Sequence, residues 1–177
     1  MTLSTTLKFI AILAINAWAG VSFAHIVLQQ KAAPVASPYK AVFQVSHGCQ
    51  GSATTALRVQ VPAGFTGAQP LPKSGWVLTT EEDAITWTAS SSTAAALSGA
   101  LDGEFVLRGR TPDTPGPLWF AVRQSCGSLV QDWAERPSSG TSTQGLTYPA
   151  ALVQVTGAAD VQPSAPALAP TSLAHQH

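Results

Sequence analysis

Charged side chains are scarce. Nine Lys and Arg stand against nine Asp and Glu in a chain of 177 residues, with no run of one sign longer than Glu81-Glu82-Asp83. That excludes the basic stripe of a nucleic-acid binder and leaves little field for steering a charged partner over distance. Also missing is any long stretch of 3.6-residue hydrophobic period, so a helical bundle is excluded. Only Ala94 to Leu101 has the composition for a short helical turn. The sequence has no Gly-x-Ser-x-Gly elbow, no phosphate-binding glycine loop and no His-Glu-x-x-His helix. Glu81, Glu82, Glu104, Asp132 and Glu135 show no paired spacing of the kind acid–base chemistry needs. Four histidines, with no nucleophile partnered to a base, give a Ser-His-Asp triad little support. These absences point to a binding protein rather than an enzyme.

The apolar run from Phe9 to Val21 follows Lys8, the only basic side chain before it, and is itself followed by Ser22 and Ala24 at the positions a signal peptidase reads. It is short for a bilayer span of about 20 residues and is broken by Asn16. Residues 1–24 are therefore expected to be a signal peptide, cleaved after Ala24, with a periplasmic or extracellular destination. No later segment is long and apolar enough to span, so no stable membrane insertion is expected after cleavage. The chain is long enough for one domain with a real core and short for two.

Cysteine is nearly absent as well, with only Cys49 and Cys126. In an oxidising compartment these two are expected to pair. The competing use is Cys49 as a thiolate ligand for Cu(I) or Zn.

What is present is small, β-forming and punctuated. Ala, Ser, Thr, Val and Gly dominate, and short segments rich in β-branched or aromatic residues recur between turn signals. These segments are His25 to Gln30, Tyr39 to Ser46, Ala56 to Val61, Trp76 to Thr80, Ala84 to Thr88, Gly103 to Arg110, Leu118 to Gln124, Ser128 to Ala134 and Ala150 to Val155. Leu57, Val59 and Val61 alternate with Arg58 and Gln60, the period of a strand with one buried face. Pro62-Ala63-Gly64, Lys73-Ser74-Gly75 and the proline-rich run from Pro112 to Pro117 supply turns. The pattern predicts an all-β domain over 25–156, an antiparallel β-sandwich or Greek-key barrel of cupredoxin-like or immunoglobulin-like type, with about seven to nine strands. Residues 157–177, rich in Ala, Pro, Ser and Gln, read as a disordered tail. His175 and His177 end that tail, either as a loose metal site or as a solvated terminus.

Cleavage after Ala24 would make His25 an amino-terminal histidine, which offers its α-amine and imidazole Nδ1 to one metal ion in a six-membered chelate ring. Apart from the tail, the only other imidazole after the leader is His47, in Ser46-His47-Gly48-Cys49-Gln50-Gly51-Ser52 between two strand segments. Alone, a loop histidine is ordinarily structural or solvated. Beside His25 it becomes a candidate ligand, and a nitrogen-rich donor set favours Cu(II) over Zn or Ni. Trp76, Trp87, Trp119 and Trp133 are candidate core residues. Trp133, in Gln131-Asp132-Trp133-Ala134-Glu135 just after Cys126, is also a candidate cover for a metal face.

From His25 to about Val155 the chain resembles the YcnI-like exported copper-binding domains. The likeness rests on the leader ending Ala24-His25, the HGCQGSATT segment followed by ALRVQVP, the PLPKSGW turn and the VQDWAE segment. The resemblance implies a β-sandwich that holds copper through the amino-terminal histidine, with a carboxylate and a nearby tryptophan. His25 and Trp133 match that pattern. Where the family's better-known members carry the glutamate, this chain reads His47-Gly48-Cys49, with no acid, and His47 is the candidate replacement. The function expected is Cu(II) storage, trafficking or delivery, with a copper chaperone or a membrane copper transporter as partner. The alternatives are a copper oxidoreductase with a histidine-brace site and a metal-free interaction sandwich.

Overall fold

A computed structural model describes residues 25–90 and 103–157. The leader, the helical turn expected near Ala94 and the tail from residue 158, with His175 and His177, lie outside the described residues. Within them every regular element is a strand: β1 (Val27–Leu28), β2 (Ala32–Pro34), β3 (Pro38–Gln44), β4 (Ala56–Gln60), β5 (Thr66–Pro70), β6 (Trp76–Thr80), β7 (Ala84–Ala89), β8 (Glu104–Arg110), β9 (Gly116–Phe120), β10 (Val122–Cys126), β11 (Leu129–Trp133) and β12 (Ala151–Thr156).

They form three sheets, in the orders β1-β3-β8-β5, β11-β10-β4-β7-β6 and β2-β12-β9. The expected all-β sandwich is therefore the fold. One pair departs from antiparallel: β2 runs parallel to β12, with Gln154 opposite Ala32 and Thr156 opposite Pro34.

The alternation read in β4 places Leu57 and Val59 fully inside, while Arg58 and Gln60 face outward. Across the interior they join Phe43, Phe105, Leu107, Ile85, Trp87, Phe120, Val122 and Val153 in one cluster. Edge-to-face aromatic pairs stitch the layers: Trp76 with Phe105 at 4.9 Å between centroids, Phe65 with Phe120 at 5.3 Å and Phe43 with Phe120 at 5.5 Å. Burying this apolar surface is the main force holding the sheets together.

Candidate metal centre

The site is assembled from the start of the fold and from one end of the β10–β11 hairpin. His25 lies just before β1, is exposed, and sets its imidazole edge-on to the Trp133 indole at 6.1 Å between centroids. Trp133 closes β11 opposite Val122. It is only 3% exposed, and it also meets Tyr148 edge-to-face at 5.4 Å between centroids. Of the two roles read from the sequence for Trp133, the core role is the one its burial shows.

His25 lines two depressions. One, of about 180 Å³, runs between Ile26–Leu28 and the start of β12, with Lys31, Thr141 and Thr143 on its rim. The other, open and about 620 Å³, is bounded by His25 and the loop from Ser142 to Thr147. Glu135 holds that loop: its Oε2 accepts the backbone N–H groups of Thr147 at 2.7 Å and Tyr148 at 2.9 Å. Nothing in the sequence around Glu135 signals this use.

The His47 loop is built by its glycines. Gln50 and Gly51 have φ of 48° and 85°, and the Ser52 amide donates to the Cys49 carbonyl at 2.9 Å, a tight turn of the primed type. A Cβ on Gly48 would stand 1.6 Å from the Ser52 carbonyl oxygen, so no side chain fits there. Cys49 is bonded to Cys126 at the end of β10, and the Cys49 amide also donates to the Cys126 sulfur at 2.9 Å. The expected disulfide is present. The thiolate role for Cys49 is thereby ruled out while the bond stands, because its sulfur is shared with Cys126.

His47 itself is exposed, and its backbone carbonyl, rather than its ring, makes the contact inward. That carbonyl accepts from Gln124 Nε2 at 2.9 Å, and Gln124 Oε1 accepts from the Trp133 indole N–H at 3.0 Å. The structure thus joins His25 to Trp133 by ring contact and His47 to Trp133 through one amide. Among the described residues no three His, Cys, Asp or Glu side chains gather as a metal-holding group.

Gln124 was not singled out by the motif reading. Its signal was its phase: Val122, Gln124 and Cys126 all point inward on β10, so a polar residue occupies an apolar position.

Residues 25–84 and 78–155 match the family model described as Domain of unknown function (DUF1775). The chain belongs to that family. DUF1775 is the family that includes the YcnI-like proteins, so the resemblance carried by the HGCQGSATT, PLPKSGW and VQDWAE segments holds at the family level. The DUF1775 match begins at His25.

Among solved structures, an uncharacterized protein from Nocardia farcinica with an immunoglobulin-like fold superposes at a TM-score of 0.62 and 19% identity, over 74% of this chain and 97% of that one. This likeness supports the immunoglobulin-like form of the sandwich. The sixth cohesin of scaffoldin B from Acetivibrio cellulolyticus, solved with a dockerin, aligns at a TM-score of 0.44 and 13% identity over 75% of this chain and 99% of that one. No curated protein matches the sequence.

Proposed function

We propose that this is an exported copper-binding protein that takes up Cu(II) through His25 as its first residue after cleavage, and that it stores copper or hands it to a chaperone or membrane transporter. The observation that carries the reading is the setting of His25. It is exposed, it precedes the first strand, it lies against a buried tryptophan, and it lines an open cleft. An imidazole there is free to turn toward an ion while its backbone nitrogen, once freed from Ala24, completes the chelate. The start of the family match at this residue agrees with that boundary. His47 is the candidate third nitrogen, and Trp133 shields one side of the centre. Copper is favoured over other divalent ions because nitrogen donors bind it most tightly in the first-row order.

Mass spectrometry of the protein recovered from outside the cytoplasm, followed by Cu(II) titration against a competing chelator, tests the proposal. The expected first residue is His25. A free α-amine takes up a proton near pH 8 and an imidazole near 6.5, so affinity is expected to fall as pH drops from about 8 to about 6. A different first residue, or a copper affinity indifferent to pH in that range, would overturn it.

A further inference from the structure

We infer that Gln124 is the positioning residue of this centre, fixing the indole of Trp133 against His25 and the backbone of His47 with one amide. Gln124 is 1% exposed and makes three hydrogen bonds. Its Oε1 accepts from Trp133 Nε1 at 3.0 Å, and its Nε2 donates to the His47 carbonyl at 2.9 Å and to Thr54 Oγ1 at 2.8 Å.

Chemistry leaves this amide one orientation. An indole N–H can only donate and a peptide carbonyl can only accept, so a side chain placed between them must present an acceptor to one and a donor to the other. A flipped amide would set N–H against N–H and oxygen against oxygen. Among the described residues no buried side-chain nitrogen or oxygen lacks a partner, and here the full complement depends on Gln124.

The position is also framed. Two residues further along the inward face of β10 the Cys126 sulfur is bonded to Cys49, so the strand that carries the amide also carries the staple of the His47 loop. The disulfide sets how near that loop lies, and Gln124 sets how its backbone is turned and where the Trp133 ring is pinned. Trp133 meets both His25 and Tyr148 edge-to-face, so a loosened indole changes the ring contact that His25 makes.

The inference rests on the copper reading only for its last step, and the test keeps the two apart. The first arm is metal-free: ¹³C,¹⁵N-labelled full-length protein, the indole N–H resonance of Trp133 identified by its loss in Trp133→Phe, and the carbonyl ¹³C shift of His47. Gln124→Met removes both the acceptor and the donor. It is expected to shift both signals and to speed exchange of the Trp133 indole proton about fivefold or more, the factor a lost net hydrogen bond implies. Gln124→Glu presents an acceptor to the indole and a donor to the His47 carbonyl only while its carboxyl is protonated, and in that form is expected to keep the Trp133 signal near its original place. If Gln124→Met does not fold, Gln124→Glu with its carboxyl protonated, compared with the unmodified protein at the same pH, still decides, because a displaced Trp133 signal in that form would overturn the inference.

The second arm measures Cu(II) affinity of the same proteins as the cell processes them. About fivefold or greater weakening is expected in Gln124→Met, with Gln124→Glu closer to the original. Unchanged Trp133 exchange in Gln124→Met, or unchanged copper affinity once that signal has moved, would overturn the positioning role. Absence of copper binding in the unmodified protein would instead overturn the proposed function, with the metal-free arm deciding whether Gln124 holds the two residues together.

Discussion

Tyr39 is 4% exposed, and its phenol donates to the Gln30 carbonyl from inside the packed layer. Burial pushes its ionisation above that of free tyrosine. The folded state therefore holds this proton more tightly than the unfolded chain, whose phenol ionises near pH 10. By linkage, the stabilisation is whole below about pH 10 and is lost as pH rises beyond it. Absorbance at 295 nm should show Tyr39 ionising only as the fold opens, with that late step missing in Tyr39→Phe. A Tyr39 step near pH 10 in protein whose circular dichroism is still native would contradict the burial. Gly48 makes a second test at this scale. A methyl group there meets the Ser52 carbonyl, so Gly48→Ala should lower stability by about 1–3 kcal/mol in denaturant titration, the range for forced overpacking. No loss would mean that the loop around His47 is not held as described. Both features were half legible. Tyr39 lies at the start of a predicted strand and the two glycines marked a tight connection, but neither the phenol's partner nor the 1.6 Å approach can be read from a linear sequence.

Among elements, the β10–β11 hairpin combines two kinds of interaction of very different worth. On its outer face Arg123 grips Asp132 through two hydrogen bonds, at 2.6 and 3.1 Å, and this holds the Asp132 carboxyl below the usual carboxylate range. Its contribution is present above about pH 4 and is lost as pH falls through the depressed folded value. Both partners are more than half exposed, so water and salt screen the pair and Asp132→Asn should cost less than about 1 kcal/mol. On the inner face the Cys49–Cys126 bond joins residues 77 apart, and the chain-entropy model assigns such a closure about 4 kcal/mol. Denaturant midpoints should therefore drop several-fold more for the Cys49→Ser, Cys126→Ser double variant than for Asp132→Asn. Equal losses would show that the disulfide constrains nothing. The strands themselves were largely legible where side chains alternate, as in β4. The segment from Leu118 to Gln124 was read as one strand, whereas the chain leaves one sheet at Phe120 and enters another at Val122. Leu118 to Val122 is one unbroken apolar run, so the pattern gives no sign of the change of sheet. Strands β2 and β5 escaped because Ala-Ala-Pro and Thr-Gly-Ala-Gln-Pro carry no β-forming pattern, and pairing with β12 and β8 holds them extended.

For the molecule as a whole, the sandwich brings a residue from its first described position against one more than a hundred residues later, and that pairing of His25 with Trp133 is the core of the proposed site. Both residues were legible, His25 from the cleavage pattern and Trp133 from its place after Cys126. Gln124, Glu135 and Tyr148 were not, because they act through contacts made by chain crossing rather than by spacing. The measurement that bears most directly on the proposal is Cu(II) titration, against a competing chelator, of protein beginning at His25 and of the same protein with one residue added before it. The addition turns the amine into a peptide nitrogen and removes the chelate while leaving every contact of the fold in place. The account predicts that this extension weakens binding more than His47→Ala, which removes one candidate nitrogen, and that Trp133→Phe weakens it least. An extended protein that binds Cu(II) as tightly as the one beginning at His25 would contradict it.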